Sequence, residues 1–296
     1  MGWLSTDVFG LNRRNRDLVA RHNSPRLIAL ANDKVACKHA LKAHDITTPY
    51  TIYEMGSSAE IKVVLPLLDK EENGFVVKPS RGAQGRGVTL FCGVSNGNFL
   101  PQHGEPMNNR DFEFLIAMLL SGEFSMGHPA DRVLIEERLR PSDTWILPGL
   151  PGPPDMRIIV YEGIPIMGMV RLPTMISGGR ANIHVGGVGV GIDLETGKST
   201  HAVWKGKSAL HHPDTGTRLT GLTIEGLADC LMLAQRCAQA VPLGYMGVDL
   251  MFDQRKGPCV IEVNARAGLA IQIANRKGLG QVLRDAGPKS AVKRES

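Results

Sequence analysis

The chain has 296 residues, of which 43% are hydrophobic and 21% charged, and carries a net charge of +5. That length and apolar content exclude a disordered chain and suffice for one large domain or two closely packed ones. The five cysteines form no C-x-x-C pair, which excludes a zinc ribbon and a disulfide framework and points to a reduced, cytoplasmic protein. No apolar run approaches the roughly 18 residues of a membrane span, and residues 1–15 lack a signal-peptide core, so neither membrane insertion nor export is expected. Met1-Gly2-Trp3-Leu4-Ser5-Thr6 fits the myristoylation pattern, a match short enough to arise by chance.

Apolar spacing predicts a helix over 11–31, which Pro25 should break in two, and a second helix after Asn32 as N-cap. Arginines 13, 14, 16, 21 and 26 crowd the first helix, but no aromatic residues interleave and only 5% of the chain is aromatic, so a nucleic-acid platform is not expected. Those arginines read as a solvated face or a docking surface for an anionic substrate. Ile46-Thr47-Thr48-Pro49 leads into an extended segment, 59–68 reads as a helix, and Gly74 to Pro79 as a short buried strand ended by its proline. Residues 80–88 form a glycine-rich loop, and 132–139 a strand with a charged edge. Residues 141–154 contain five prolines and mark a loop and lobe boundary. Beyond it, 156–161 and 164–172 read as a hairpin, 177–191 as a glycine-rich segment, and 223–240 as a helix with Cys230, Leu233, Ala234 and Cys237 on one side. There is no internal repeat.

The last hairpin carries the sharpest chemical signal. Met246 to Phe252 and Cys259 to Ala265 are apolar, β-branched runs separated by the polar turn 253–258. Folding them symmetrically places Asp249 opposite Glu262, and strand alternation puts Glu262 and Asn264 on one face about 7 Å apart. Two facing carboxylates repel unless something positive lies between them, and oxygen-only ligands favour Mg²⁺ or Mn²⁺ over zinc. The alternative is a slipped register with one carboxylate solvated. A second signal is Lys78 at the end of an apolar strand, followed by Gly82, Gly85 and Gly87. Backbone N–H groups and an ammonium converging there would hold polyphosphate, although such glycine clusters are also simple flexible turns. The loop fits neither a Walker A motif nor a dinucleotide fingerprint.

Taken in order, Asp33-Lys34, Ile46-x-x-Pro49, Val76-Val77-Lys78, Gly82-Ala83-Gln84-Gly85-x-Gly87, Ile135-Glu136-Glu137, Asp155-Met156-Arg157, Arg180-Ala181-Asn182, Gly247-Val248-Asp249 and Glu262-Val263-Asn264-Ala265 resemble the ATP-grasp superfamily. Within it they look most like the RimK-like alpha-L-glutamate ligases, over about residues 32–275. The resemblance implies an α+β, ATP-grasp fold with ATP between two lobes built on mainly antiparallel sheets. It implies a short helical segment over 1–33, an N-terminal lobe over 34–140, a C-terminal lobe with the metal site over 141–284, and a flexible tail over 285–296. ATP and Mg²⁺ (or Mn²⁺) are the implied cofactors. Lys34, Lys78, Gly82, Gly85 and Gly87 would serve the phosphates. Glu136 and Glu137 would read adenine at the hinge, where a solvated strand edge is the plainer reading. Asp155, Arg180 and Asn182 would also contact nucleotide, Arg157 and Arg171 would offset charge on the transferring phosphoryl group, and Asp249, Glu262 and Asn264 would hold the metal.

The implied reaction joins a carboxylate to an amine through an acyl phosphate, with a glutamate-like amino acid or peptide as substrate and a homo-oligomer left open. The chain departs from the family in two places. Members commonly carry a βα domain of about a hundred residues before the first ATP-grasp helix, whereas 33 residues precede Lys34, which implies a reduced substrate cleft. The motif after Asn264 reads Ala265-Arg266-Ala267-Gly268 instead of continuing through proline and glycine, so Arg266 reads either as an anchor for a substrate carboxylate or as half of a structural ion pair. Gln84, His184 and His201 are lesser candidates for substrate contact. Two other functions stay open at this stage, a non-catalytic ATP-binding scaffold and a kinase on the same fold.

Overall fold

The computed structural model describes residues 7–82, 85–125, 127–143 and 147–287. The myristoylation pattern, Gln84 and nearly all of the expected tail lie outside the described residues. The chain divides into two compact units, one made of residues 32–39 and 48–139 and the other of residues 1–31, 40–47 and 140–296. Every strand pairing in both is antiparallel.

The N-terminal residues enter the larger unit as helix α1 (Leu11–Arg14), a π-helical turn (Asn15–Val19), α2 (Ala20–His22) and α3 (Pro25–Asn32), with the break at Pro25 as expected. Asn32 ends α3 instead of capping the next helix. The cap of α4 (Lys34–Lys42) is Asp33, whose Oδ1 accepts from the Ala36 N–H at 3.1 Å.

The smaller unit is a five-stranded sheet in the order β1-β5-β2-β3-β4. Its strands are β1 (Thr51–Met55), β2 (Phe75–Pro79), β3 (Thr89–Ser95), β4 (Asn98–Pro101) and β5 (Val133–Glu137). Helices α5 (Ile61–Leu68) and α6 (Asn109–Leu120) are each preceded by a capping box, Ser57 with Glu60 and Asn108 with Asp111. The core is aromatic: Phe75 stacks on Phe91 at 4.8 Å between ring centroids, and Phe99 on Phe112 at 4.1 Å. Strand alternation places Lys78 and Glu136 on the opposite face of the sheet from Phe75 and Val77. β3, β4 and α6 were not anticipated from sequence. A signal existed in the Asn96-Gly97 turn, where both residues take positive φ (50° and 72°) as a tight hairpin requires.

The larger unit is a seven-stranded sheet in the order β10-β9-β8-β7-β6-β11-β12. It comprises β6 (Asp155–Tyr161), β7 (Ile164–Leu172), β8 (Val188–Ile192), β9 (Ser199–Trp204), β10 (Lys207–Ser208), β11 (Tyr245–Asp253) and β12 (Gly257–Asn264). Helix α7 (Leu227–Ala240) packs against β6, β7, β11 and β12, and α8 (Ala270–Asn275) and α9 (Leu279–Ala286) complete the unit. α7 starts four residues later than the expected 223, and part of the segment read as glycine-rich is β8, where glycines alternate with Val188, Val190 and Ile192. Alternation gives the sheet one fully buried face with Met156, Ile158, Val248 and Leu250. The other face is apolar at one end, where Tyr245, Ile159 and Met169 cluster with Phe9, Leu18 and Ile271. At its other end it turns polar.

Candidate active site

Strand order builds that polar end. Asp155 lies opposite Arg171 across β6–β7, Arg157 opposite Asp249 across β6–β11, and Asp249 opposite Glu262 across β11–β12, with Gly247 opposite Asn264. The hairpin register is therefore the expected one at the carboxylates. A bulge after Asp249 shifts it by one residue toward the turn, so Leu250 pairs with Val260.

Arginines answer the like-charge problem here. Arg157 donates to both oxygens of Asp249, Nε to Oδ1 at 2.7 Å and Nη2 to Oδ2 at 2.6 Å. Arg171 makes the same two-pronged contact with Asp155 and places Nη2 3.0 Å from Asp249 Oδ2, while Asn264 Nδ2 donates to that oxygen at 3.2 Å. Burial alone would raise the Asp249 carboxyl pKa, but Arg157 and Arg171 outweigh it and hold the value at about 2. Burial has the upper hand at Asp155, whose pKa is raised even though Arg171 opposes the shift. A small pocket beside this row is lined by Arg157, Arg171, Asn182, His184 and Gly268. Asn182 caps the 3₁₀ turn Ile183–Val185 by accepting from the His184 N–H at 2.9 Å, whereas Arg180 and Arg266 are exposed. His201 stands apart on β9, its pKa lowered by burial and by Arg276.

The smaller unit gathers the other expected residues. Lys34 Nζ donates to the Gly82 carbonyl, which ties α4 to the start of the glycine-rich loop. Gly85 and Gly87 both have φ near +72°, a conformation side chains resist. Glu136 is 3% exposed, and its carboxylate is shared by Lys78 (6%) and Lys38 (5%). Burial pushes the Glu136 pKa up, but the two ammonium groups overcome this and the value falls below its ordinary level. Glu137 points the other way and accepts from the Tyr50 N–H at 2.5 Å. Sequence reading missed Lys38, although it stands one turn after Lys34 on the same helical face.

Among the described residues no three His, Cys, Asp or Glu side chains converge as metal ligands. The candidate set is two carboxylates and an amide, and its oxygens suit a hard cation such as Mg²⁺. Asp249 accepts from two guanidinium groups, those of Arg157 and Arg171.

These residues lie on two antiparallel α+β units. A biotin carboxylase from Campylobacter jejuni, solved with a β-γ-ATP complex, shares the fold at a TM-score of 0.56 and 12% identity, covering 94% of this chain and 52% of that one. The family model described as sugar-transfer associated ATP-grasp matches residues 13–287, and the chain belongs to that family. Similarity extends to the ATP-grasp ligase PsnB with its minimal precursor (TM-score 0.49, 15% identity, 91% of this chain and 63% of that one). It extends also to a D-alanine–D-alanine ligase from Bacillus anthracis (0.46, 18%, 88% and 67%). This chain thus spans less than two thirds of the length of PsnB. No curated protein matches it.

Proposed function

We propose that the protein is an ATP- and Mg²⁺-dependent carboxylate–amine ligase. The observation that carries this reading is the single-face row Asp155, Arg171, Arg157, Asp249, Glu262 and Asn264, in which the two arginines, paired with carboxylates, also line one small pocket. Asp249, Glu262 and Asn264 are assigned to Mg²⁺, which when bound would neutralise charge on the phosphates. Lys34, Lys78 and the Gly82–Gly87 loop are assigned to the nucleotide phosphates, with Glu137 and the strand edge beside it assigned to adenine. Arg180 and Asn182 are further phosphate contacts.

Chemically, a carboxylate oxygen of one substrate attacks the γ-phosphorus, the bond to the β-phosphate oxygen breaks, and ADP leaves. The amine nitrogen of the second substrate then attacks the acyl carbon, inorganic phosphate departs, and the nitrogen gives up a proton. Arg157 and Arg171 serve the first step by moving from Asp249 and Asp155 to the transferring phosphoryl group, where a forked guanidinium matches planar oxygens. The resemblance to alpha-L-glutamate ligases favours a glutamate-like amino acid or a peptide as substrate. The family's association with sugar transfer adds amino sugars to the amines worth testing.

The test is incubation with ATP, Mg²⁺ and pools of amino acids, dipeptides and amino sugars, followed by ADP assay and mass spectrometry. A condensed product is expected. A phosphorylated product would make the protein a kinase, and ATP binding without turnover a scaffold. Glu262→Gln should abolish ADP formation with an unchanged circular dichroism spectrum, and full activity in that variant would remove Glu262 from the metal set.

A further inference from the structure

The smaller unit divides one buried carboxylate between two buried ammonium groups. Lys38 Nζ donates to Glu136 Oε1, and Lys78 Nζ lies 2.5 Å from Glu136 Oε2. The strands set half of this arrangement. Val76 lies opposite Glu136 and Lys78 opposite Leu134, so Lys78 and Glu136 are diagonal neighbours on one face of the sheet. Helix α4 sets the other half. Its first turn is fastened to the residue after β2, with the Lys34 N–H donating to the Ser80 carbonyl at 2.9 Å and the Val35 N–H to Ser80 Oγ at 3.4 Å. One helical turn separates Lys34 from Lys38 on a single face, so the first reaches the Gly82 carbonyl while the second reaches Glu136.

Burial makes the pairing of these charges matter. The side chains of Lys38, Glu136 and Lys78 are 5%, 4% and 7% exposed, so water does little to solvate any of the three. A carboxylate left in such a place without a cation is a costly state. Lys78 and Lys38 together keep Glu136 ionised against its burial. Lys78 stands at the end of β2, just before the glycine-rich loop, and is one of the ammonium groups assigned above to the nucleotide phosphates. To bind a phosphate oxygen it must give up Glu136. With Lys78 as the one cation on that carboxylate, the exchange would strand a buried negative charge, whereas an ammonium on the other oxygen keeps the charge paired throughout.

We propose that Lys38 is a positioning residue for nucleotide binding: it holds Glu136 through Oε1, so that Lys78 can pass from Oε2 to a phosphate oxygen without stranding the carboxylate. The inference rests on the ATP-binding reading of Lys78 and adds to it a residue that never touches the nucleotide. Glu136 becomes the resting partner of Lys78 instead of a reader of adenine.

The experiment is calorimetric titration of the full chain with AMPPNP and Mg²⁺, with circular dichroism to confirm the fold of each variant. Lys38→Met leaves Lys78 locked to Glu136 and should weaken AMPPNP binding about a hundredfold or more, the factor that matches a buried charge left unpaired. Adding Glu136→Gln removes the charge that holds Lys78, so the double variant should return to within about tenfold of wild type. Lys78→Met in that double background should again weaken binding. A role of Lys38 in packing alone would give a loss that Glu136→Gln does not repair. Lys38→Met binding as tightly as wild type, or a double variant no tighter than Lys38→Met, overturns the proposal. Should Lys38→Met lose its fold, the double variant decides, since it carries neither charge of the Lys38–Glu136 pair: a loss beyond about a hundredfold overturns the proposal. Failure of the nucleotide reading is separately visible as no AMPPNP binding to wild type.

Discussion

At the scale of single residues, Asp249 decides the electrostatics of the larger unit. Its carboxyl pKa of about 2 lies below the ~3.9 of an unfolded aspartate, so the folded state binds fewer protons than the unfolded chain does as pH falls through this range. The stabilisation from its ion pairs is fully present above about pH 4 and is lost as the pH drops toward 2. Urea unfolding between pH 5 and 2 should show this loss, and Asp249→Asn should flatten that part of the profile. The facing of Asp249 and Glu262 was legible in the sequence because a hairpin folds on its own turn. The guanidinium partners were not, because Arg157 meets Asp249 only once β6 and β11, about ninety residues apart in the chain, become neighbours in the sheet. Lys38 was invisible for the same reason: its meaning depends on Glu136 arriving from a distant strand. The sequence grouped Arg14 with its neighbours as a solvated face or a docking surface, whereas a tertiary contact with the Ala267 carbonyl buries it.

At the scale of elements, the β11–β12 hairpin carries Asp249, Glu262 and Asn264, and the turn that follows it packs on Gly247. Gly247 is needed for the close approach of Ala267 more than for any backbone angle. Gly247→Val should displace the Ala265–Gly268 turn and cost about 1–3 kcal/mol in urea unfolding, the usual penalty for overpacking. Gly257→Ala at the hairpin turn, where open space surrounds the position, should cost only the strain of its positive φ. Helices and strands with strong periodicity or proline boundaries were read well: α5, β2, β5, β6 and β7 lie within two residues of expectation. β3, β4 and α6 were passed over, and β8 was read as part of a glycine-rich segment, because glycine inside a strand obscures its pattern and only packing against neighbours such as Ile183, near Gly189, shows why it is there.

At the scale of the whole molecule, the two units have separate hydrophobic cores, one aromatic and one built around Tyr245, Ile159 and Ile271. Phe112→Ala removes a ring stacked on Phe99 and edge-on to Phe75 and Phe91, and should cost about 3–5 kcal/mol. Native-state hydrogen exchange should locate that loss in the amides of β2, β3, β4 and α6, with the protection of β6, β7 and β11 unchanged. Uniform loss across both sheets would show instead that the two cores unfold as one.

The amino-acid sequence by itself determined the superfamily and the antiparallel hairpin that aligns Asp249 with Glu262, because these depend on local periodicity, turn chemistry and ordered short motifs. Only the tertiary structure decided that Asp155 and Asp249 are held by arginines, that Glu136 is divided between two lysines, and that Arg14 is buried beside a turn from the far end of the chain. Those outcomes depend on which strands become neighbours and on what burial does to a charge, and neither quantity exists until the chain has folded.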